Sequence, residues 1–363
     1  MSSELLVKKH IKYIERHLAF LPSSHQEHDP NKIAIVFYSI VGLASLGEDV
    51  SKKYESSKEW LYQHYTQVQL KSGKVSGFIG SATMDVKDIP TMSLPNTLFA
   101  LLIILCLKDH TFFDNHVDRE SLFRFVGKCQ LESVGSFVSS LDISGNGHSS
   151  PIDVNDLRFC YIAVAILYIL GCRSVEEFNE HIDVDKLLRY TLSQSCVNGG
   201  FGQFDEPHAG YTSCALSMLQ LLGLLDKTSP DFQRKTVSWV LQRQVSAEGC
   251  MGLMKPYEYY DEKDSGGFQG RENKFADTCY AFWCLNSLQI LTKDFKSLCQ
   301  TDLVTDYLLK RTQNSLLGGF SKNDEDNPDI YHTCLGIAAL NITENLFDGV
   351  LCIPKDIYQY WFK

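Results

Sequence analysis

Residues 313–340 read QNSLLGGFSKNDEDNPDIYHTCLGIAAL, and both halves of this stretch recur elsewhere in the chain. The first half is a glutamine followed by a glycine-rich bend, which recurs at 130–137 (QLESVGSF), 194–201 (QSCVNGGF) and 244–250 (QVSAEGC). The second half has a polar residue two positions before a cysteine that begins an apolar helix. These cysteines follow one another at intervals of 54, 65 and 55 residues, at Cys160, Cys214, Cys279 and Cys334. The chain is therefore a set of repeats, and the repeat decides the fold.

Each repeat has the pattern of two helices. One is apolar on all sides and therefore buried, as at 159–172 (FCYIAVAILYILGC), and the other is amphipathic, as at 232–244 (FQRKTVSWVLQRQ). Segments 33–43 and 96–107 are diverged copies of the apolar helix. Helical pairs repeated every 50–60 residues predict an all-α fold, either an open solenoid or a closed ring of hairpins. In a closed ring the apolar helices form an inner barrel, and their equivalent ends lie at one rim.

The chain organisation predicts a single domain over residues 1–363, with an N-terminal helix and a C-terminal tail at its periphery. The wider interval of 65 residues indicates an insertion, which we assign to the polar segment 254–267. The net charge of −10 argues against nonspecific binding of nucleic acid. The longest apolar runs are shorter than the roughly 20 residues that cross a bilayer. The charged N-terminus does not resemble a secretory signal. Twelve cysteines without C-x-x-C pairs indicate reduced thiols, so we expect a cytoplasmic protein that does not span a membrane.

A candidate metal site follows from the repeat. Asp277 and His332 occupy the same position in successive repeats, two residues before Cys279 and Cys334. If the repeats pack side by side, Asp277, Cys279 and His332 come together. All three are zinc ligands, and three protein ligands with an open fourth position are typical of catalytic zinc. Residues two apart do not share a helix face, so Asp277 and Cys279 can converge only where the helix begins, with Asp277 as its N-cap.

Each of these residues alone has an ordinary explanation. An aspartate before a helix is usually a cap, a helical cysteine usually packs in the core, and a single histidine usually packs as well. Their common position in the repeat is what favours a metal site.

A cationic group is predicted at the same rim. Arg271 and Lys274 precede Asp277 by six and three residues, Tyr280 lies just beyond it, and His208 lies one repeat earlier. Such a group suits a phosphate or diphosphate, which arginine binds with two hydrogen bonds and lysine as a point charge. A lone cation would more often be a solvated surface charge.

Below this rim the inner barrel is predicted to be lined by aromatic side chains, namely Phe159, Tyr161, Tyr280, Phe282 and Trp283. Aromatic residues at helical spacing usually form core. A central cavity with a cationic mouth would instead hold a lipid chain, with its diphosphate at the opening.

The repeat, the D-x-C with a distant histidine, and the R-x-x-K before it resemble the β subunits of the protein prenyltransferases over nearly the whole chain. Within that family the chain is most similar to the type I geranylgeranyl-transferring subunits, in a fungal-like form. The resemblance implies an α-α barrel, one bound Zn²⁺ and an obligate heterodimer with a helical-repeat α subunit. It also implies transfer of a geranylgeranyl group from geranylgeranyl diphosphate to the cysteine of a C-terminal CaaX motif, X often being leucine. Rho-type small GTPases are the substrates expected from the family.

By position, the resemblance implies that Asp277, Cys279 and His332 hold the zinc ion. The positions implied for the diphosphate and the lipid are His208, Ala209, Gly210, Arg271, Glu272, Asn273, Lys274, Tyr280, Ala281, Phe282, Trp283, Arg158 and Tyr161. In the implied reaction the substrate thiol ionises at the open zinc position and attacks the carbon that bears the diphosphate. The cationic residues stabilise the negative charge that grows on the leaving group.

Two positions bear on the lipid and on magnesium. Ala34 stands where farnesyltransferase β subunits carry a tryptophan that limits lipid length, so the small side chain favours geranylgeranyl. Lys322, ten residues before His332, stands where farnesyltransferases carry an aspartate that holds magnesium, and its ammonium group could substitute for that ion. The nearby acidic segment 324–326 leaves the magnesium requirement open. Segment 329–334 (DIYHTC) is closer to farnesyltransferases, which leaves the strictness of lipid and CaaX selection open.

The alternatives are of several classes. A farnesyltransferase β subunit is one, and a Rab geranylgeranyltransferase β subunit, which would need an escort protein, is another. A terpene cyclase is a third, because 325–329 (EDNPD) loosely fits an acidic metal-diphosphate motif, but the D-x-D-D acid of ring-shaped cyclases is not found. A repeat scaffold with a structural zinc would have a closed fourth ligand and no role for Arg271 or Lys274.

Overall fold

The computed structural model describes residues 4–21, 27–28, 30–82, 92–142, 148–149, 155–246 and 261–363. The α-helices in these segments are α1 (Val7–Ala19), α2 (Lys32–Ser45), α3 (Val50–Lys53), α4 (Lys58–Tyr62), α5 (Leu94–Cys106), α6 (Arg119–Lys128), α7 (Leu157–Leu170), α8 (Val175–Asn179), α9 (Val184–Ser193), α10 (Ala209–Leu221), α11 (Pro230–Leu241), α12 (Thr278–Leu291), α13 (Thr301–Tyr307), α14 (Ile330–Thr343) and α15 (Lys355–Phe362). The strands are β1 (Tyr65–Leu70), β2 (Gly73–Ile79), β3 (Met92–Ser93), β4 (Leu141–Asp142), β5 (His148–Ser149), β6 (Gly202–Gln203), β7 (Glu206–Pro207), β8 (Phe320–Ser321), β9 (Pro328–Asp329), β10 (Phe347–Asp348) and β11 (Ile353–Pro354).

Six apolar helices form a closed inner ring. In chain order α2, α5, α7, α10, α12 and α14 each pack against the next, and α14 packs back against α2. Outer helices lie against them, with α6 on α7 and α11 on α12. The antiparallel sheet β1–β2–β3 packs on α5 and α6. The fold is therefore the closed ring and not the open solenoid, which confirms the α-α barrel.

The inner helices begin with polar caps. The side chain of the N-cap residue accepts a backbone N–H in five of them, through Ser93 (α5), Asp156 (α7), His208 (α10), Asp277 (α12) and Asp329 (α14). A capping side chain satisfies a backbone donor that has no partner within the helix. Because the inner helices are parallel members of one ring, these caps place polar side chains at one rim of an otherwise apolar barrel.

The glycine of each bend lies where only glycine fits. Gly135, Gly199 and Gly318 have φ values of +87°, +95° and +81°, and a Cβ on each would lie 2.4–2.5 Å from the backbone of a following outer helix or of α1. In the third repeat Gln244 forms a β-bridge with Phe268, so the glycine of this bend is Gly266 (φ +93°). The insertion therefore separates the glutamine of the motif from its glycine. Residues 247–250 of the predicted bend and 254–260 of the predicted insertion lie outside the described residues.

At three of the four bends the glutamine of the motif holds the next outer helix in place. Gln130 bonds both backbone groups of Asp183, the N-cap of α9, and Gln244 does the same to Gln300, the N-cap of α13. Gln313 accepts from the backbone N–H of Leu6, the N-cap of α1. Helix α1 is thus the outer helix of the last repeat, and the beginning of the chain completes the ring. In the described residues no helix is both long and apolar enough to cross a membrane.

Candidate metal centre and its two cavities

Three metal-binding side chains meet at the polar rim. Ligand atoms of Asp277, Cys279 and His332 all lie within 4.8 Å of one another. Asp277 is the N-cap of α12, and its Oδ1 accepts the backbone N–H of Cys279 at 2.8 Å. The structure therefore brings the aspartate and the cysteine together at the helix start, as the spacing predicts. Asp277 and Cys279 are each about 6% exposed, so the group is sheltered from bulk water.

Asp329 orients His332. Its Oδ1 accepts the backbone N–H of His332 at 2.8 Å, and its Oδ2 lies 2.5 Å from Nδ1 of the ring. The other ring nitrogen, Nε2, lies 3.3 Å from Oδ1 of Asp277. Burial lowers the pKa of His332, but hydrogen bonds to Asp277 and Asp329 outweigh it and raise this pKa to about 9. Asp329 is not among the residues that the repeat predicts for the site, although an aspartate before an apolar helix and three residues from a candidate ligand is a detectable signal.

The donor set fits a zinc ion. In a tetrahedral site with bonds of about 2.0–2.3 Å, ligand atoms lie roughly 3.3–3.8 Å apart. The distance of 3.3 Å between Oδ1 of Asp277 and Nε2 of His332 is in this range. One oxygen, one sulfur and one nitrogen ligand suit Zn²⁺, and a carboxylate on the outer nitrogen of a ligating histidine is a common supporting partner. These residues form a group that could hold a metal ion.

A cationic cavity of about 720 Å³ opens beside this group. Its lining contains Asp277 and Lys322. It also contains six of the residues predicted for the diphosphate and the lipid, namely Arg158, His208, Gly210, Arg271, Lys274 and Tyr280. Arg271 donates from Nη1 to both carboxylate oxygens of Glu206, at 2.9 and 3.0 Å. The backbone carbonyl of Lys322 accepts from Thr278 at 2.9 Å, which holds it at the start of α12.

His208 is held in its neutral form. Its Nδ1 accepts the backbone N–H of Gly210 at 3.1 Å, so Nε2 carries the proton, and Nε2 lies 3.2 Å from Oη of Tyr280. Burial, together with the charges of Arg271 and Arg158, lowers the pKa of His208 to about 4. At neutral pH His208 therefore offers an uncharged N–H to the cavity.

An aromatic cavity of about 270 Å³ fills the centre of the barrel. Its lining is mostly aromatic and aliphatic and includes Phe37, Tyr38, Phe99, Tyr161, Phe282, Trp283 and Tyr331. Arg158, His208, Gly210 and Tyr280 line both cavities, so the two cavities meet. Cys279 faces the aromatic cavity, and Asp277 faces the cationic one. The candidate metal centre therefore lies where a charged opening gives way to an apolar interior.

Several predicted residues lie elsewhere. Ala209 and Ala281 are fully buried, and neither lines a cavity. Ala34 lies one helical turn before Tyr38 on α2 and is not part of either lining. Glu272 and Asn273 are exposed in the turn between Arg271 and Lys274, outside both linings.

Other residues of the site were missed. Asp156 is 1% exposed and binds Arg158 through Oδ2, at 3.1 Å to Nε and 2.6 Å to Nη2. Gly349 and Cys352 line the aromatic cavity, and the Val350 carbonyl accepts from Tyr161 Oη at 2.6 Å. Helix capping could have indicated Asp156. The segment near residue 350 carries no pattern that connects it to the barrel.

Comparisons with known proteins find relatives that match nearly the whole chain. A β subunit of geranylgeranyl transferase type-1 from Arabidopsis thaliana is 29% identical over 95% of this chain and 86% of its own length. A farnesyltransferase β subunit from Schizosaccharomyces pombe is 27% identical over 94% of this chain and 78% of its own. The solved structure of Candida albicans protein geranylgeranyltransferase-I complexed with GGPP matches with a TM-score of 0.85 and 30% identity, over 99% of this chain and 98% of that one. Residues 5–353 match the prenyltransferase alpha-alpha toroid domain, which confirms the resemblance: the chain belongs to the prenyltransferase α-α toroid family.

Proposed function

We propose that this chain is the catalytic β subunit of a protein geranylgeranyltransferase type I. It transfers a geranylgeranyl group from geranylgeranyl diphosphate to the cysteine of C-terminal CaaX motifs, X often being leucine. The observation that carries the proposal is the candidate metal centre at the junction of a cationic and an aromatic cavity. A prenyl diphosphate has this same division into a charged head and an apolar tail.

Asp277, Cys279 and His332 would hold Zn²⁺, and Asp329 would fix Nδ1 of His332 so that Nε2 is free to bind the metal. The ion would supply an open position at which a substrate thiol loses its proton. The low exposure of Asp277 and Cys279 excludes competing water from that position.

The cationic cavity would bind the diphosphate. Arg271 and Lys274 carry the positive charge, while His208 and Tyr280 offer hydrogen bonds from neutral groups. As the bond to the lipid breaks, negative charge grows on the diphosphate, and donors already aimed at it stabilise that charge. Lys322, which lines the same cavity, would supply a fixed cation where a magnesium ion would otherwise be needed.

The aromatic cavity would hold the isoprenoid along Tyr280, Phe282 and Trp283, with Tyr161 opposite. Ala34 is not part of the cavity lining but precedes Tyr38 by one turn on the same face of α2, and its small side chain would leave room for a fourth isoprene unit. These assignments make geranylgeranyl the preferred lipid.

The proposal includes a partner. A helical-repeat α subunit would form an obligate heterodimer with residues 1–363 acting as one domain, in the cytoplasm, with Rho-type small GTPases among the substrates. The β-subunit names of the Arabidopsis and Schizosaccharomyces relatives support a heterodimer.

A farnesyltransferase β subunit is the second candidate, and Tyr331 favours it. This tyrosine belongs to the farnesyltransferase-like segment 329–334 and lines the aromatic cavity beside Cys279. A bulky group there would shorten the space for the lipid or for the last residue of a CaaX peptide.

Co-expression with candidate α subunits, followed by transfer assays, tests the proposal. Each complex is assayed with geranylgeranyl and farnesyl diphosphate against CaaX peptides that end in Leu, Ser or Met. We expect the highest kcat/KM for geranylgeranyl diphosphate with the Leu peptide. A preference for farnesyl diphosphate would establish the second candidate, and absence of transfer with any α subunit would overturn both.

A further inference from the structure

The turn at 271–274 carries two cations of the cationic cavity, yet it is exposed. Its backbone is tied at two points, since the Gly270 carbonyl accepts from Ala209 N–H at 2.8 Å and the Gln269 side chain donates to the Lys274 carbonyl. Asn273 has a φ of +55°, in the left-handed region that asparagine adopts more readily than most other non-glycine residues. The turn therefore has a defined backbone conformation, and the contacts of its side chains decide whether Arg271 and Lys274 keep their positions.

Glu272 provides a third tie. Its Oε1 accepts from the indole Nε1–H of Trp239 on α11 at 2.7 Å, and it lies 3.3 Å from Nη1 of Arg243. Arg243 is only 5% exposed, and its guanidinium stacks 5.0 Å from the Trp239 ring centre. A buried cation without a counter-charge is strongly unfavourable, so Arg243 holds the Glu272 carboxylate in place. The exposed turn is thus held by two buried side chains, Trp239 on α11 and Arg243 just beyond the end of that helix.

We infer that Glu272 is a positioning residue for the diphosphate, which fastens the Arg271–Lys274 turn to α11 through Trp239 and Arg243. This inference rests on the proposed function, because it assigns the turn to diphosphate binding. Glu272 is not part of the cavity lining, so the inference assigns it no direct contact with the diphosphate.

A positioning role and a simple charge effect of Glu272 predict opposite changes in the affinity for diphosphate. Glu272 is an anion beside a diphosphate site, so its charge alone weakens diphosphate binding, and neutralising it would tighten binding. Loss of its positioning contacts has the contrary effect, because Arg271 and Lys274 then sample conformations that do not bind.

The test uses the α/β complex and two substitutions. Glu272→Gln removes the charge, and Trp239→Phe removes the N–H donor while keeping a ring under Arg243. Dissociation constants are measured for geranylgeranyl diphosphate and for inorganic pyrophosphate, along with the melting temperature. The glutamine can still accept from Trp239 but leaves the buried Arg243 without its counter-charge, whereas Trp239→Phe removes the hydrogen bond itself. We expect each variant to bind both anions about five- to tenfold more weakly, because each weakens one charge-assisted contact of Glu272. Asp231→Asn, which removes an exposed ion pair with Arg234 and Lys235 on the same helix, is the matched control and should leave both constants unchanged.

Tighter binding by Glu272→Gln would assign Glu272 a charge effect only. Unchanged dissociation constants with a lower melting temperature would assign it a role in stability only. Either result overturns the inference while the proposed function stands. A parental complex that binds neither geranylgeranyl diphosphate nor pyrophosphate would overturn the proposed function, and this inference with it.

Discussion

His10 and Gln313 are 303 residues apart in the chain, yet Nε2 of the histidine lies 2.8 Å from Oε1 of the glutamine. The same oxygen accepts the backbone N–H of Leu6 at 2.9 Å, and the amide of Gln313 donates to the Glu4 carbonyl at 3.1 Å. His10 is fully buried and stacks on Phe320, with ring centres 4.9 Å apart. One glutamine side chain therefore fastens the first helix to the last repeat.

Replacing Gln313 by alanine should lower the free energy of unfolding by about 2–4 kcal/mol, because two N–H donors at the ring closure lose their acceptor. Gln194→Ala is the matched control in another repeat. Its amide donates to the exposed Ser193 hydroxyl, so its loss should cost less than about 1 kcal/mol. Urea unfolding of both variants measures the difference, and equal losses would contradict a special role for Gln313 in closing the ring.

The repeat predicts the candidate metal site because it fixes which positions of neighbouring inner helices lie side by side. Asp277 and His332 occupy equivalent positions in successive repeats, and neighbouring inner helices of a ring place equivalent positions side by side. The same register predicts that His208, Arg271 and Lys274 share one rim, and all three line the cationic cavity. Cap chemistry then explains why Asp277 and Cys279 converge although they are only two residues apart.

Other features could not be predicted from the repeat. The position of α1 depends on contacts of His10 and Leu6 with Gln313, and no sequence pattern links these distant segments. The third bend was assigned to 244–250, but the insertion moves its glycine to Gly266. Glu272 is not part of the cavity lining, because its side chain contacts Trp239 and Arg243 instead, and no sequence pattern links these residues.

Replacing Cys279 by alanine should remove the bound metal while the fold remains. The thiol is one of three proposed ligands, and two ligands hold zinc far less tightly. Metal content per purified α/β complex, measured by atomic emission, should fall from about one zinc ion to near zero, and transfer activity should be lost. Cys334→Ala, at the equivalent position of the next repeat and outside the metal-binding group, should keep its zinc. Retained zinc in the Cys279 variant would refute the ligand assignment.

Replacing Ala34 by tryptophan should move lipid choice toward farnesyl. The indole would extend along the face of α2 that carries Tyr38 and occupy the space of the last isoprene unit. We expect the ratio of kcat/KM for geranylgeranyl over farnesyl diphosphate to fall at least about tenfold, the size of effect that one misfitting hydrophobic group produces. Ala34→Ser, a small polar substitution, serves as the control and should change the ratio little. An unchanged ratio in the tryptophan variant would exclude Ala34 from lipid selection.

Lys322 should make the reaction independent of magnesium. Its ammonium group lines the cationic cavity, so the parental complex should transfer lipid at the same rate with and without magnesium. Lys322→Ala should lower kcat about 100- to 1000-fold, in the range observed when one group that stabilises transition-state charge is removed. Lys322→Asp should recover part of that rate when magnesium is added. Lys263→Ala, which removes an exposed partner of Asp324, is the control. A parental rate that rises with magnesium would contradict the substitution of lysine for the ion.

His208 should lower the free energy of unfolding at acid pH. Burial and the neighbouring arginines lower its pKa from 6.5 to about 4 in the folded chain, so between these values the unfolded chain binds more protons than the folded one. Stability from this residue is therefore fully present above pH 6.5 and is lost as the pH falls toward 4, by up to about 3 kcal/mol. Protonation would also remove the Nδ1 acceptor from Gly210, so the acid form loses the cap of α10.

The substitution His208→Asn keeps a good cap without a titrating ring and therefore tests this prediction. The difference in unfolding free energy between parent and variant should shrink or reverse from pH 7 to pH 4.5. Because both proteins contain the other buried histidines, such as His10, their contributions cancel in this difference. A difference that does not change with pH would mean that His208 titrates alike in the folded and unfolded chain, and its neutral N–H could not be assigned to the diphosphate.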